Sequence, residues 1–263
     1  MECTRGSSSS ARRPASLSSI KVIKNDIPDS SNKFPDCRGK TDMNSFSVLK
    51  QNLISLYGVF MLARNTDATR YVFMIGNAQD SLAENARQRG DMRDPFVDPA
   101  LAGLWHKRYC PEPYDVDEML SLSPESLGGM YARHMKSRGL RADFFDAETP
   151  RHKMHYLRLR MRQTHDIWHT LTGFDTDPVG EVGLQGFYFA QFTNGQSALI
   201  FAGAILKSIL RTRYGELERF VEAFCEGYRN GRRSHPLLGV QWEALWREPV
   251  ADLRRRFDIE AAR

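Results

Sequence analysis

With 263 residues and 41% apolar content, the chain is long enough to bury one substantial core. The formal net charge of +5 suits an anionic partner, but no basic stretch alternates with aromatic residues, so a nucleic-acid platform is excluded. The longest unbroken apolar run, 198–206, is too short to cross a bilayer, so no membrane span is predicted.

Residues 1–43 are predicted to form a disordered N-terminal tail. They are polar, rich in Ser and Arg, and interrupted by Pro14, Pro28 and Pro35, so they cannot offset the entropy of ordering. They lack the apolar run of a secretory signal, and an acid-poor start of this kind is also compatible with a mitochondrial presequence. The remainder, 44–263, is predicted to be one helical domain.

Helical periodicity begins after this tail. Apolar residues recur every three or four positions and form one stripe: Phe46, Leu49, Leu53, Leu56, Tyr57 and Phe60. A second helix is predicted over 69–89, where Gly90 stops it. Residues 91–120 are rich in Pro and Asp and are predicted to be mostly connector.

Three proline-containing start signals predict the next helices. Ser123-Pro124 opens a helix to Arg138, and Thr149-Pro150 opens one to Thr172, each ended by a glycine. Asp177-Pro178 opens a helix that we carry to Tyr214 despite five glycines, which suggest close packing, a kink or room for a ligand.

The stretch 216–228 has the cleanest amphipathic spacing and is predicted to be a core helix. We find no period-two strand pattern. The predicted fold is therefore all-α, a single domain of long packed helices.

The residues that carry chemistry lie around one predicted helix end. His165 and His169 are four positions apart, so both imidazoles face one side of the helix and can reach one ion. Asp166 could reach the same ion or orient a histidine. The stop at Gly173 and the start signal Asp177-Pro178 predict a short turn between two helices. This turn places Glu181 in the first turn of the second helix, facing the histidines. These four residues predict a divalent-metal site on a helix-turn-helix, and the competing interpretation is a pair of hydrogen-bonded surface or core histidines.

Two further features adjoin this cluster. Arg158 and Arg162 share the helix face of the histidines and could clamp a substrate carboxylate or phosphate, or else form a solvated or acid-paired face. The apolar helix after Glu181 could line a tunnel, and ordinary core packing explains it equally well.

The motif His165-Asp166-x-x-His169, followed by eleven residues and Glu181, resembles the metal motif of the coenzyme Q biosynthesis protein 4 family. The resemblance extends over roughly 46–260 and includes the runs 127–131, 169–174, 180–181 and 231–242. It implies a helical protein of ubiquinone biosynthesis in which His165, Asp166, His169 and Glu181 hold the metal and are the catalytic residues.

The implied reaction is decarboxylation of a polyprenylated hydroxybenzoate at ring carbon C1, coupled to its hydroxylation. The metal is predicted to be zinc, with iron, manganese, cobalt and magnesium as alternatives. Arg158 and Arg162 are our own inference for binding the substrate carboxylate, and the apolar helix would accept the isoprenoid tail. Expected partners are the other quinone-biosynthesis proteins and a membrane surface that is bound peripherally, and a homodimer stays open.

The expected location is the cytoplasmic side of the inner membrane, with the matrix side of the mitochondrial inner membrane as the alternative. Two other functions compete. One is a non-catalytic scaffold or lipid-binding protein with a structural metal. The other, ranked last, is a phosphohydrolase that pairs His165-Asp166 with His134, His152 or His155.

Overall fold

The computed structural model describes residues 45–64, 69–111, 114–140 and 149–262. These residues form ten α-helices and contain no β-strand, which confirms the all-α prediction. The helices are α1 Ser45–Arg64, α2 Thr69–Arg89, α3 Pro99–His106, α4 Val116–Met119, α5 Leu127–Arg138, α6 Lys153–Thr172, α7 Pro178–Gln191, α8 Gly195–Leu210, α9 Tyr214–Arg233 and α10 Val250–Phe257. The predicted tail, 1–43, lies outside the described residues.

The core is built around α6. Thirteen of its 20 residues are buried, and they include polar and charged side chains as well as apolar ones. Trp168 and Leu171 are fully buried there, together with Leu127 of α5, Phe187 of α7 and Trp242 near the C-terminus. The helix that carries the histidines is therefore held on several sides.

The three glycines that were predicted to end helices do so. Gly90, Gly139 and Gly173 follow α2, α5 and α6 with positive φ angles of 78°, 64° and 77°, a conformation that costs glycine no steric strain. Their positions fix where three helices end.

Two predicted helix starts were wrong by several residues. The N-cap of α5 is Ser126, whose hydroxyl accepts from the Gly129 amide at 3.2 Å, and residues 123–126 form a turn before it. The N-cap of α6 is His152, whose Nδ1 accepts from the His155 amide at 3.2 Å. In both cases a proline marked the approach to the helix and a later side chain supplied the cap.

The helix predicted from 178 to 214 is two helices. It breaks after Gln191, and Asn194 caps α8 by accepting from the Ser197 amide at 2.7 Å. The predicted connector 91–120 also contains α3 and α4, each capped by an aspartate.

The amphipathic helix α9 is buried only along a narrow strip. Phe220, Ala223 and Gly227 are buried, whereas Val221 and Tyr228 are 41% and 40% exposed. The buried strip packs on α7.

Helix α1 is the one segment in the described ranges that is long and apolar enough to cross a membrane, judged by length and composition alone. Its apolar residues do not form one long unbroken run, because the polar residues 50–52 lie among them. The predicted stripe exists, but it faces outward.

Candidate metal centre

The turn between α6 and α7 brings three of the four predicted ligands together. Gly173 ends α6, and its amide donates to the His169 carbonyl at 2.9 Å. Asp177 then caps α7 by accepting from the Gly180 amide at 2.7 Å, and Pro178 occupies the first turn. Glu181 consequently lies in the first turn of α7 and faces the histidines.

Three electron-pair donors converge at this point, and we call them the donor triad: His165 Nε2, His169 Nε2 and the Glu181 carboxylate. The two Nε2 atoms are 3.3 Å apart. Glu181 Oε1 lies 3.3 Å from His169 Nε2, and Oε2 lies 3.6 Å from His165 Nε2. Three groups that all present lone pairs thus share a volume that suits a cation.

A hydrogen bond on the side of the ring away from the donor triad fixes the orientation of His169. Its Nδ1 lies 2.8 Å from the Phe174 carbonyl oxygen, which can only accept, so Nδ1 carries the proton and donates. Nε2 of the neutral ring therefore presents its lone pair to the donor triad. A second hydrogen bond of this kind is usual for metal-binding histidines.

The charges in the donor triad reinforce one another. Burial opposes the ionised form of Glu181, but His165 and His169 outweigh burial and hold the pKa of this carboxyl well below its ordinary value. Burial would lower the pKa of His165, but the charge of Glu181 outweighs that effect and raises it. Without a metal, the carboxylate and a proton on His165 therefore stabilise each other.

The spacing of the donor triad fits a small divalent ion. Ligands placed tetrahedrally about 2.0–2.2 Å from one ion lie about 3.3–3.6 Å apart, which matches the three separations found here. Imidazole and carboxylate are ligands that zinc and iron accept. The side chains of His165 and Glu181 are 32% and 37% exposed, so the outer side is open to a further ligand.

Asp166 does not join the donor triad, since none of its oxygens lies within 4.8 Å of all three other donors. Its charge helps to raise the pKa of His165, and it also helps to raise the pKa values of Tyr131 and Tyr114, where burial has the largest effect. The structure therefore places Asp166 outside the donor triad.

The two arginines predicted to bind substrate are engaged with α2. Arg158 is buried, and its Nε donates to Asp80 Oδ2 at 2.5 Å. The guanidinium of Arg162 lies 4.9 Å from the centre of the Phe73 ring. Arg158 is therefore paired with an acid, which is one of the alternatives that the sequence left open for this helix face.

Two further aromatic rings lie against the histidines. The ring of Tyr188 stacks on His165 at 6.2 Å, and that of His134 stacks on His169 at 6.0 Å. Nε2 of His134 is buried and finds no hydrogen-bond partner among the described residues, and burial lowers the pKa of this ring. Tyr188 is seven residues after Glu181 on the same helix face, a spacing that could have identified it. The sequence offered His134 only as one of three phosphohydrolase candidates, and the structure brings it to His169 from α5.

The other histidines considered for a phosphohydrolase serve the opposite end of α6. His152 caps the helix and lies 3.7 Å from Glu84, and His155 Nδ1 accepts from the Arg151 amide at 3.0 Å. Both lie at least ten residues before His165, about 15 Å along the helix axis, so they do not complete the cluster.

Comparison with known proteins decides the family. Residues 108–263 match the model of the family described as coenzyme Q (ubiquinone) biosynthesis protein Coq4. The chain belongs to this Coq4 family. The matched residues include α5, α6 and α7, and therefore the whole donor triad.

Individual relatives agree with this assignment. The chain is 28% identical over 213 residues to the mitochondrial ubiquinone biosynthesis protein coq4 of Talaromyces marneffei, covering 80% of this chain and 68% of that protein. It is 30% identical over 144 residues to the mitochondrial COQ4 homologue of Drosophila ananassae, covering 53% and 52%. It also resembles the crystal structure of a candidate ubiquinone biosynthesis protein from Nostoc punctiforme, with a TM-score of 0.66, 27% identity, and 78% of this chain and 97% of that one covered.

Proposed function

We propose that this Coq4 protein removes the C1 carboxylate of a polyprenylated hydroxybenzoate in ubiquinone biosynthesis, with a divalent metal held by the donor triad. Family membership supplies the pathway. The observation that carries the chemistry is the 3.3–3.6 Å spacing of three lone-pair donors around one open volume.

In the reaction the bond between C1 and the carboxyl carbon breaks, its electron pair stays on the ring, CO₂ leaves, and a proton takes its place at C1. When bound, a divalent metal would supply Lewis-acid stabilisation of the negative charge that develops. The protein contributes orientation: the Phe174 carbonyl fixes His169, the cap at Asp177 fixes Glu181, and Tyr188 packs against His165.

Asp166 is proposed to orient this site from outside the donor triad. Coupling to hydroxylation at C1, which the family resemblance implies, requires an oxidant and is distinguished by the mass of the product. The isoprenoid tail is proposed to lie along apolar surfaces of the protein, with other quinone-biosynthesis proteins as partners. Homodimer formation stays a prediction.

The relatives from Talaromyces marneffei and Drosophila ananassae are named as mitochondrial proteins. We therefore propose the second of the two expected locations, the matrix side of the mitochondrial inner membrane, for this chain.

Metal analysis of the purified protein tests the site directly. We expect about one equivalent of zinc or another divalent ion in the wild type, and loss of most of it in His169→Ala and Glu181→Gln. Asp166→Asn should keep the metal but bind it about 10–100-fold more weakly, as expected for a residue outside the ligand set. His106→Ala and Glu118→Gln change the same residue types at exposed positions and should keep full occupancy. Wild-type metal content in Glu181→Gln would exclude the proposed site.

Activity is tested with metal-loaded protein and a short-chain polyprenyl-hydroxybenzoate, followed by mass spectrometry for loss of CO₂. We expect turnover by the wild type and the two control variants, and none by His169→Ala. If the metal contents of the wild type and the variants are all as expected but the metal-loaded wild type does not consume the substrate, the scaffold alternative replaces the enzyme.

A further inference from the structure

Helix α1 exposes the side that a surface helix normally buries. It packs on α2 and α8 through small or polar positions, and its buried residues are Ser55, Gly58, Val59 and Ala63. Six of its large apolar side chains are between 47% and 75% exposed, and they are Phe46, Leu49, Leu53, Leu56, Tyr57 and Phe60. Single exposed apolar residues are ordinary, but a continuous stripe along a helix about 30 Å long marks an interaction surface.

A groove runs along this stripe. Its volume is about 370 Å³, it is open to the outside, and Met74 of α2 forms part of its wall. The lining is apolar apart from Lys50. Such a groove suits hydrocarbon chains better than polar side chains.

The end of α8 extends the exposed surface. The Arg211 guanidinium donates to the Arg64 carbonyl at 3.1 Å, which brings the C-terminal ends of α1 and α8 together. Ile209, Leu210 and Tyr214 are 46%, 59% and 63% exposed at this end. We call the α1 stripe and these three residues the outer apolar face.

The charges around the outer apolar face are mainly basic. Helix α1 contains Lys50 and Arg64 and no acidic residue. Arg211 adds a third basic group, and the nearby acid Glu216 is already paired with Arg213 at 2.7 Å. An apolar stripe bordered by Lys and Arg is typical of a helix that lies in the interface of a membrane with anionic lipids.

A second copy of the chain fits this face less well. In a two-fold contact the same face meets itself, so the basic groups of both copies would approach without acidic partners. An anionic bilayer supplies both hydrocarbon for the stripe and negative headgroups for the border.

We propose that the outer apolar face docks the protein on an anionic phospholipid bilayer, with α1 lying parallel to the membrane surface. The inference deepens the proposed function and rests on it in one respect, because that function requires a substrate whose isoprenoid tail is dissolved in a bilayer. Since one side of α1 packs on the protein, the helix inserts its outer side and does not cross the membrane.

Sedimentation of the full chain with vesicles tests this proposal. One vesicle preparation is phosphatidylcholine alone, and the other contains one-third phosphatidylglycerol. We expect binding mainly to the second. Leu53→Glu with Leu56→Glu should weaken binding at least about 100-fold, because two leucines lose their burial in hydrocarbon. Lys50→Glu with Arg64→Glu should weaken it at least about 25-fold, at roughly fivefold for each basic residue lost.

The controls change similar residues outside α1, α2 and α8. Val97→Glu alters an apolar residue that is 71% exposed, and Lys107→Glu with Arg247→Glu changes the net charge by the same amount as the basic double variant. Both should bind vesicles like the wild type.

Three outcomes would overturn the docking proposal. They are wild-type vesicle binding by the leucine double variant, a soluble dimer that this variant dissociates without any vesicle binding by the wild type, and wild-type protein that resists extraction with alkaline carbonate as a spanning helix does. Metal content measured on the same preparations separates this proposal from the proposed function: docking variants should keep their metal, and His169→Ala should lose metal while still binding vesicles.

Discussion

Arg158 and Asp80 form an ion pair inside the protein, between α6 and α2. Nε and Oδ2 are 2.5 Å apart, and both side chains are almost fully buried. Burial raises the pKa of Asp80 to about 6, against the opposing attraction of Arg158. Because this folded-state pKa lies above the ordinary value of 3.8, folding favours the protonated acid, and ionisation of Asp80 costs stability as the pH rises through about 6.

Replacing Arg158 with methionine should therefore destabilise the protein in a pH-dependent way. Without the guanidinium the pKa of Asp80 rises further, so at pH 5 the acid is protonated and needs no counter-charge. At pH 8 a buried carboxylate has to be kept without a partner or protonated at a cost, and we expect a loss of about 3 kcal/mol in the free energy of unfolding. Urea unfolding of wild type and Arg158→Met at both pH values measures this difference.

The exposed Arg247 provides the control, since Arg247→Met should change stability little at either pH. If Arg158→Met instead loses the same free energy of unfolding at pH 5 and pH 8, Arg158 stabilises the protein through the packing of its apolar stem and not through the charge of Asp80.

At the scale of residues, the sequence could predict what depends on short spacings. His165 and His169 share a helix face whatever the rest of the fold does, and the Asp177 cap places Glu181 one turn into the next helix. The partner of Arg158 could not be predicted in this way, because Asp80 is 78 positions away and is brought near only by tertiary packing. The same reason explains why the sequence could not place His134 beside His169.

At the scale of elements, α7 and α9 approach each other closely along a strip of glycines. A Cβ at Gly227 would lie 1.9 Å from the Gly183 carbonyl oxygen, and one at Gly186 would lie 2.2 Å from that of Phe224. Backbone therefore meets backbone, and no flexible side chain can move aside. Since Gly183 is two residues after Glu181, this contact also helps to hold the start of α7 in place.

Gly227→Ala should force the two helices apart. We expect a loss of roughly 3 kcal/mol in the free energy of unfolding, at the upper end for overpacked sites, together with weaker metal binding. Gly103→Ala is the matched control, because a Cβ at this helical position meets nothing within 4 Å. It should stabilise the protein by about 0.5–1 kcal/mol through helix propensity. Thermal unfolding and metal titration of both variants test the contact, and a neutral Gly227→Ala would contradict it.

The ends of the helices were predictable to different degrees. Gly90, Gly139 and Gly173 end helices through their own backbone conformation, which is a local property. The break after Gln191 was missed because apolar residues continue on both sides and the cap, Asn194, lies between glycine-rich segments. The outward stripe of α1 could not be predicted, because periodicity shows that a helix has an apolar side and does not show which neighbour covers it.

At the scale of the whole molecule, the donor triad lies at the border of the core: His169 is buried, but most of the core lies elsewhere. The fully buried side chains, among them Trp168, Leu127 and Trp242, come from elements spread over the chain. His165 and Glu181, by contrast, are about one-third exposed and belong to two helices that five residues connect. The core therefore does not require a metal to assemble, unlike small domains that fold only around zinc.

Removal of the metal should accordingly leave the protein folded. After treatment with a chelator, we expect the helical circular dichroism at 25 °C to stay within a few per cent of that of the metal-loaded protein. The melting temperature should fall by roughly 5–10 °C, the loss expected when a ligand present at about 100 times its dissociation constant is withdrawn from a domain of this size. Added zinc should restore it. Glu181→Gln is the control, because a protein that no longer binds metal should melt at the same temperature with and without chelator. Collapse of the helical signal on chelation would contradict this separation of core and site, and would favour a structural metal in a non-catalytic scaffold over a decarboxylase.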